Sequence, residues 1–554
     1  MRFDLIIRNA RVVDGSGAEA FAADVGIRNG RIESLGALAG AWSRDEFDAA
    51  GLAVSPGFID SHSHADLALL AQGLENEKLR MGVTTEVIGQ CGYTAFPVAD
   101  PFRCLRARSI AGFLPGVQLD WDWSTLEEYR AVCSRAGLTH NIVPLVGHGS
   151  VRMAVMGDSS RTAGTADLER MRQLVRQSME AGAFGLSSGL IYPPACYADQ
   201  NEIEDLCRVV AEYHRVYVTH MRGETAGLID SAVTEALGIS SASKVSLQIS
   251  HLKVIGLNPD SRGKIDQVLS RIEKARGEGL EVHFDCYPYT EGSTLLSTLV
   301  PRWAHEQGAE GLIANLKDPQ IRSRIRRDIE SDTSTWENWL HACGFKAIKI
   351  ASLAQGGPAP IVGMDLMSIA QQRREDPMEV LFDILTTYQA NVLMVFSMMA
   401  ETDMLKALIH PQGMIGTDAI PCPPGQGRPH PRGYGAFPRI LGRYVRERQA
   451  LTLEEAIRKM TGLPAQKFGL KDRGLVQEGK FADLVVFSPE RIIDLATYED
   501  PRTPPMGIKA VIVNGKIAVS DGRVSPIFAG VFLKPSPSFP AKRHTPTAQP
   551  TQPA

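Results

Sequence analysis

The sequence predicts an α/β protein in which a TIM-like (β/α)8 barrel is joined to a small β-sandwich domain built from both termini and carries an inserted subdomain. Strand-like apolar runs alternate with helical stretches over most of the chain. Both ends show short strands with glycine turns. Residues able to bind metal stand where several strand-like runs end, and barrels of this kind hold their chemistry at those positions.

The two ends of the chain share one β pattern. Residues 3–35 hold short apolar strands separated by Gly-containing turns, including an Asn-Gly at 29–30. Residues 482–487 and 510–516 repeat the pattern, again with an Asn-Gly turn. Matching chemistry at distant ends predicts one β domain formed by both.

The middle of the chain alternates between strands and helices. Helical stretches such as 166–181, 201–214 and 262–279 separate the strand-like runs. This many alternations favours a parallel sheet closed into a barrel. The runs read as strands are 84–91, 141–147, 184–190, 216–222, 245–251, 281–287 and 413–418.

The alternation breaks after residue 295, over a stretch too long for one βα connection. We expect an inserted subdomain there, which is a candidate lid. The sequence does not show whether the strand-like run 392–397 belongs to this subdomain or to the barrel. The expected organisation is 1–54 and 471–532 for the β domain, 55–294 and 351–470 for the barrel, 295–350 for the inserted subdomain and 533–554 for a disordered Pro-rich tail.

Composition narrows the classes of function. The 554 residues exceed what one core usually holds, and the net charge of −4 gives no basic footprint for nucleic acid or an anionic membrane. No apolar run reaches the ~18 residues of a transmembrane helix, and the N-terminus lacks a secretory signal. Eight cysteines without framework spacing favour the reducing cytoplasm.

Two histidines stand in Gly-Phe-Ile-Asp-Ser-His-Ser-His-Ala-Asp, residues 57–66. If this segment is a strand, His62 and His64 point to one face, because strand side chains alternate with period two. Two imidazoles on one face can bind one metal ion. A lone His-x-His is also common in polar loops, so the prediction depends on ligands from later strands.

Further candidate ligands end later strands. His220 and His251 stand where apolar runs stop, in Thr-His-Met-Arg-Gly-Glu and Ser-His-Leu-Lys. A single strand-end histidine is more often structural, but four in one barrel favour metal, and imidazole suits Zn²⁺. Cys91, in Gly-Gln-Cys-Gly, is either a small buried apolar residue or a thiolate ligand. Asp418 either caps a turn or contacts the metal and the attacking water.

Together these motifs resemble the amidohydrolase superfamily and, within it, the N-acyl-D-amino-acid deacylase (D-aminoacylase) family. Three more segments are similar: Gly-Leu-Ser-Ser-Gly-Leu-Ile-Tyr-Pro-Pro (185–194), Asp-Cys-Tyr-Pro-Tyr-Thr (285–290) and His-Pro-Arg-Gly-Tyr-Gly-Ala-Phe-Pro-Arg (430–439). Many amidohydrolases carry a carbamylated lysine on the fourth strand, but 184–190 contains no lysine. Cys91 fits the cysteine that the D-aminoacylase group uses instead.

The resemblance implies specific roles. A tight zinc would be held by Cys91, His220 and His251. A second, weaker metal position would use His62, His64 and Asp418, with Cys91 shared.

Substrate would meet further residues. Asp418 would be the catalytic acid and base. A cation and two hydroxyls suit a substrate carboxylate, and the implied anchors are Lys253, Tyr287 and Ser293. The alternative for Lys253 is a solvated surface lysine. Arg222, beside His220, is a further candidate contact.

The expected activity is zinc-dependent hydrolysis of N-acyl-D-amino acids to a carboxylic acid and a free D-amino acid. An alternative is a cyclic-amide hydrolase of the dihydroorotase or hydantoinase kind, which the missing lysine disfavours. A non-catalytic scaffold would usually have lost ligands that this sequence keeps. The preferred side chain and acyl group, the working number of metals and the oligomeric state stay open. Arg432 and Arg439 are candidates to bind an acidic side chain.

Overall fold

A computed structural model describes residues 2–71, 76–109, 113–114, 117–331, 336–353 and 360–536. The strands, in chain order, are β1 (Arg2–Val12), β2 (Phe21–Arg28), β3 (Arg31–Gly36), β4 (Trp42–Asp48), β5 (Ala53–Pro56), β6 (Phe58–Asp60), β7 (Val83–Ile88), β8 (Asn141–Pro144), β9 (Val146–Gly147), β10 (Gly185–Gly189), β11 (Val216–His220), β12 (Ser246–Ile249), β13 (Val282–Cys286), β14 (Glu291–Leu295), β15 (Ile348–Leu353), β16 (Val392–Ser397), β17 (Gly413–Ile415), β18 (Leu484–Phe487), β19 (Ile508–Val513), β20 (Lys516–Ser520) and β21 (Arg523–Val524).

Most helices lie between the strands and pack an apolar face on them. In the helix after β10, Asp199 caps the start and Ile203, Leu206 and Val210 are buried. The helices are α1 (Asn76–Arg80), α2 (Arg103–Ser109), α3 (Leu126–Ala136), α4 (His148–Met156), α5 (Thr165–Glu180), α6 (Gln200–Glu212), α7 (Ile229–Ser243), α8 (Lys264–Gly277), α9 (Gly308–Lys317), α10 (Pro319–Glu330), α11 (Trp339–Cys343), α12 (Leu366–Arg373), α13 (Pro377–Thr387), α14 (Glu401–Ile409), α15 (Arg432–Arg439), α16 (Leu453–Met460) and α17 (Gly462–Lys467).

Strands from both ends of the chain form one nine-stranded sheet, in the order β21-β20-β19-β18-β5-β1-β2-β3 with β4 beside β1. Strand β5 joins the two halves, since it runs parallel to β1 and antiparallel to β18. One core gathers Leu5 and Val25 from the first half with Leu484 and Ile512 from the second. The β domain is therefore one continuous hydrogen-bonded sheet and not two separately bonded sheets, because β5 has a partner on each side.

The central strands are TIM-barrel-like. A parallel sheet in the order β17-β13-β12-β11-β10-β9 continues into β6-β7-β8, because β8 and β9 follow each other directly along the chain. The last strand returns to the first: the Ser61 N–H donates to the Ile415 carbonyl at 3.2 Å, and Ser63 forms a parallel bridge with Ala419. The carboxyl ends of these strands therefore meet at one edge.

The first barrel strand is shorter than the segment 57–66, which was considered as a strand. The apolar run at 52–54 leads into β5 of the terminal sheet, and β6 covers only Phe58–Asp60. The chain passes between the two sheets at Gly57, whose N–H donates to the Asp483 carbonyl at 2.7 Å. His62 and His64 therefore lie beyond the strand, and their direction is set by the loop rather than by strand alternation.

The inserted segment has its own antiparallel sheet, β14-β16-β15. The run 392–397, which the sequence left unassigned, is the central strand of that sheet, between β14 and β15. The sheet reaches beyond the expected limits of 295–350 because its strands pair across about a hundred residues of chain. We propose 291–397 as the limits of the inserted subdomain.

The segment expected to be a disordered tail begins at residue 533. Leu533 is buried, and its N–H donates to the Ile142 carbonyl at 2.8 Å, so ordered structure extends into that segment. Residues 537–554 lie outside the described residues. In the described part of the chain, no helix combines the length and the apolar character that crossing a membrane would require.

Candidate metal centre

Candidate ligands from five strand ends meet at one edge of the barrel. His62 and His64 follow β6, Cys91 follows β7, and His220 ends β11. His251 and Asp418 follow β12 and β17. All six side chains are buried. The sequence placed these residues at strand ends, and the fold brings them into contact.

Cys91 lies between two of the histidines. Its Sγ is 3.7 Å from His220 Nδ1 and 3.4 Å from His251 Nε2. Around a tetrahedral zinc with bond lengths of about 2.0–2.3 Å, neighbouring ligand atoms are separated by roughly 3.5 Å. The three side chains therefore fit the tight zinc position that the sequence implied, and the thiolate favours zinc over magnesium.

A second group of donors shares Cys91. Its Sγ is 3.5 Å from His62 Nε2. Asp418 Oδ1 is 3.5 Å from His62 Nε2 and 3.1 Å from His64 Nε2. The donor atoms of His62, His64 and Cys91 all lie within 4.8 Å of one another. The geometry accommodates a second metal position beside the first.

Three of these residues have strained backbones. Cys91, His251 and Asp418 adopt positive φ angles of 53°, 35° and 50°. Residues other than glycine rarely adopt such angles. A Cβ at Gly189 would lie 2.2 Å from the Cys91 carbonyl oxygen, and one at Gly416 would lie 2.5 Å from His62 Cβ. Strain and close approach at one site are typical of a functional centre.

Charge at the centre depends on burial and on one arginine. Burial raises the pKa of the Cys91 thiol well above its usual range, so a nearby cation would be needed to ionise it. Burial alone would also raise the pKa of Asp418, but the Arg432 guanidinium, with His251 and His62, holds it well below its usual range. Arg432 is fully buried, and its NH1 lies 2.8 Å from Asp418 Oδ2.

Glu224, to which the sequence analysis gave no role, faces both histidines of the tight position. Its Oε1 lies 3.1 Å from His251 Nδ1, and its Oε2 lies 3.5 Å from His220 Nε2. With a metal on the opposite ring nitrogens, His251 and His220 would each donate the remaining N–H to this carboxylate. A glutamate four residues after a strand-end histidine was the available signal.

Asp285 has the same function for His62. Its Oδ1 lies 3.1 Å from His62 Nδ1 and accepts the His251 backbone N–H at 2.8 Å. Burial alone would lower the pKa of His62, but the negative charges of Asp285 and Asp418 raise this pKa above its ordinary value. Asp285 stands in the quoted motif 285–290, which gave no indication of its contact with a histidine two hundred residues away.

The predicted carboxylate anchors line the same pocket as the metal donors. The Lys253 ammonium donates to Glu224 at 3.0 Å and lies 2.7 Å from His251 Nδ1, so Lys253 is buried and not a solvated surface lysine. Among the described residues, the buried Tyr287 hydroxyl has no hydrogen-bond partner. Ser293 lines the pocket on the side of the insertion.

Three predicted substrate contacts already have partners within the protein. Arg222 lines an adjoining cavity of about 500 Å³ and pairs with Glu235 at 2.8 Å, so it is not brought to the metal donors. Arg432 is engaged by Asp418, and Arg439 pairs with Asp494 at 2.9 Å. The two arginines considered for an acidic side chain therefore have acidic partners within the protein.

The fourth barrel strand, β10, has the hydroxyl side chains of Ser187 and Ser188 and no lysine. Ser187 donates to the Gly89 carbonyl, and Ser188 hydrogen-bonds Tyr217 and Thr219 at 2.7 and 2.9 Å. These bonds link β10 to its neighbours. The described residues of β10 therefore offer no lysine to the metal donors.

The chain was compared with known proteins. Residues 45–519 match the amidohydrolase family. A D-aminoacylase of Alcaligenes xylosoxydans xylosoxydans is 34% identical over 93% of this chain and 94% of its own length. An N-acyl-D-glutamate deacylase of the same organism is 33% identical, with 93% of each chain covered.

Solved structures agree with these relatives. N-acyl-D-glutamate deacylase from Bordetella bronchiseptica, in complex with zinc and a phosphonate that mimics the tetrahedral intermediate, superimposes with a TM-score of 0.79 at 32% identity. The match covers 96% of this chain and all of the other. L-hydantoinase from Arthrobacter aurescens has a TM-score of 0.51 at 15% identity, a likeness of fold alone.

Proposed function

Because this chain belongs to the amidohydrolase family and, within it, to the N-acyl-D-amino-acid deacylases, we propose that it hydrolyses the amide bond of N-acyl-D-amino acids with zinc as its metal. The products are a carboxylic acid and a free D-amino acid. The central strands, with the consecutive β8 and β9 taken as one, form in this proposal a closed (β/α)8 barrel that holds the site at its carboxyl edge.

One observation carries the proposal: the metal donors and the carboxylate anchors line one pocket. Cys91 and His251 line this pocket, and so do Lys253, Tyr287 and Ser293. A linear N-acyl amino acid presents an amide and a free carboxylate a few ångströms apart. The pocket offers a partner to each.

The chain's own residues account for binding and proton transfer. When bound, zinc supplies a water of lowered pKa and polarises the amide carbonyl. Asp418, held ionised by Arg432, takes the proton of the attacking water and returns it to the departing amine nitrogen. Glu224 fixes the orientation of His220 and His251.

The substrate carboxylate would displace existing contacts. Lys253 lines the pocket and donates to Glu224 at 3.0 Å, and Tyr287 offers a hydroxyl that has no partner in the described structure. Charge-assisted hydrogen bonds from both, with Ser293, would hold the carboxylate. The scissile amide is then fixed relative to Asp418.

The cyclic-amide alternative has less support. The serines of β10 leave no lysine for a carbamate bridge. Two relatives that are 33% identical are named as deacylases of N-acyl-D-glutamate and N-acyl-D-aspartate, which are linear amides. The hydantoinase likeness is one of fold.

The first test is amine release with zinc present, using matched D and L forms of N-acetyl-Met, N-acetyl-Leu, N-acetyl-Phe, N-acetyl-Glu and N-acetyl-Asp. We expect release from D forms only, and the best side chain would define the specificity. Zinc-loaded protein that released amine from none of them, but opened a hydantoin or dihydroorotate, would establish the alternative.

A further inference from the structure

We propose that Glu337 is a positioning residue that fastens the inserted segment to the barrel loop carrying Glu224, and thereby holds Lys253 in place for the substrate. Glu337 lies in the insertion, just before α11. Its side chain is buried against the loop that follows β11. The kinetic part of this inference rests on the proposed function, and the structural part does not.

The contact is made to backbone, so it constrains the loop directly. The Glu337 carboxylate accepts the backbone N–H of Glu224 and, at 3.1 Å, that of Thr225. On the other side of the same segment, the Glu224 carbonyl accepts the Ile255 N–H at 2.7 Å. The Glu224 residue is therefore held from the insertion and from the loop after β12 at once.

The position of Glu224 is important because its side chain contacts groups of the metal and substrate site. The Glu224 carboxylate contacts the Lys253 ammonium at 3.0 Å and the histidines of the tight zinc position. A shift of the Glu224 backbone would move the acceptor that orients Lys253. Lys253 would then present its charge to the substrate carboxylate less favourably.

The segment that carries Glu337 is packed into the insertion. Trp339, two residues on, is buried and stacks on Phe396 of β16 with ring centroids 4.9 Å apart. Both aromatic rings also line the metal pocket. The insertion thus forms one wall of the site, and Glu337 is one of its attachments to the barrel.

The charges around Glu337 favour its neutral form. It faces Glu224 and Lys253 on two barrel loops, and Cys343 on its own segment. Burial, with the Glu224 carboxylate, raises the pKa of Glu337 to about 8. Because the pKa of Glu337 is higher in this contact than in water, low pH favours the contact, and this preference is lost progressively as the pH rises toward 8.

The test uses three variants of the full zinc-loaded enzyme and KM for N-acetyl-D-methionine between pH 6.5 and 9. Glu337→Gln keeps the acceptor oxygen and cannot ionise, so we expect wild-type KM at pH 6.5 and no rise at alkaline pH, where the wild-type KM rises. Glu337→Ala should raise KM roughly tenfold or more at every pH, with unchanged zinc content. Glu306→Ala, an exposed glutamate of the same insertion, is the control and should leave KM unchanged.

Hydrogen exchange tests the contact without substrate. The amides of Glu224 and Thr225 should exchange faster in Glu337→Ala than in the wild type or in Glu337→Gln. Unchanged exchange and unchanged KM in Glu337→Ala would overturn the proposal, as would a Glu337→Gln enzyme whose KM follows the wild-type pH dependence. Should Glu337→Ala not fold, the Glu337→Gln profile decides. Absence of turnover in the wild type would refute the proposed function and leave the exchange result standing.

Discussion

At the residue scale, Asp418 has the decisive role in the proposed chemistry. We expect Asp418→Asn to lower kcat by about 10²–10⁴-fold, because the amide cannot take the water's proton. The tight zinc should stay bound, since Cys91, His220 and His251 are untouched. Steady-state kinetics with elemental analysis of the same sample checks both. Near-normal turnover with zinc bound would refute the role.

Arg432 sets the charge of Asp418. Since its guanidinium lowers the pKa of Asp418, Arg432→Gln should raise that pKa. Asp418 must be ionised to act as a base, so the acid limb of the kcat/KM profile should move to higher pH. Arg432→Lys keeps a cation and should restore most of the wild-type profile. An acid limb that is the same in both variants and the wild type would contradict this assignment.

Glu224 lies behind the two histidines of the tight zinc position. Glu224→Gln keeps the shape but weakens the acceptor for His220 and His251, and zinc affinity should fall about 10–100-fold. Competition with a chromophoric chelator measures the change. Glu235→Gln, which breaks only the pair with Arg222, is the matched control. Equal losses in the two variants would argue against a metal-orienting function.

At the scale of elements, Lys78 of helix α1 contacts residues of β6, of β7 and of the loop after β17. The Lys78 ammonium lies 2.5 Å from Asp60, 2.7 Å from Glu86 and 2.9 Å from Thr417 Oγ1, all buried. Asp60 also accepts the Thr417 N–H at 2.8 Å, next to Asp418. This cluster sets the spacing of the strand ends that carry His62 and Asp418.

Removing the lysine takes the ammonium away from two buried carboxylates, of which Glu86 keeps a contact with His140 at 2.6 Å. We expect Lys78→Met to lower the free energy of unfolding by about 3–5 kcal/mol. Arg80→Met on the same helix breaks a partly exposed pair with Glu77 and should cost less than about 1 kcal/mol. Urea or thermal denaturation compares the two variants. A loss of stability no larger in Lys78→Met than in Arg80→Met would refute the structural role.

At the scale of the whole molecule, the metal donors come from five strand ends spread over more than three hundred residues. A bound zinc would therefore cross-link the barrel mouth. Zinc at a thousandfold excess over its Kd stabilises the folded state by about 4 kcal/mol. We expect a chelator to lower Tm and zinc to restore it. In Cys91→Ala the chelator should change Tm little, and an equal shift in both proteins would place the stabilising metal elsewhere.

Family membership could be recognised from the sequence, because short motifs at strand ends keep their residue types together along the chain. The prediction of the family is confirmed by relatives about 33% identical over 93% of the chain. The barrel strands after the first were also located, since apolar runs bounded by polar residues are local signals. The residues proposed for metal and substrate stay predictions that the geometry supports.

What the sequence could not give was set by contacts between distant residues. The segment 57–66 was considered as a strand, but β6 ends at Asp60. The residues just before it form β5, whose partners come from both ends of the chain. The proposed limits of the insertion, 291–397, depend on β14 and β15 pairing with β16 across long separations. Local patterns do not record which distant strand will supply a hydrogen-bond partner.

By itself, the sequence determined the chemistry available to this protein: imidazoles, a thiol and a carboxylate at the ends of parallel strands, with a lysine and hydroxyls nearby. Only the tertiary structure decided how they are used. It turned Cys91, His251 and Asp418 inward through left-handed backbones, gave Arg432 to Asp418, and set Glu224 behind two histidines. Residue type is a local property, whereas distance and electrostatic environment exist only once the chain has folded.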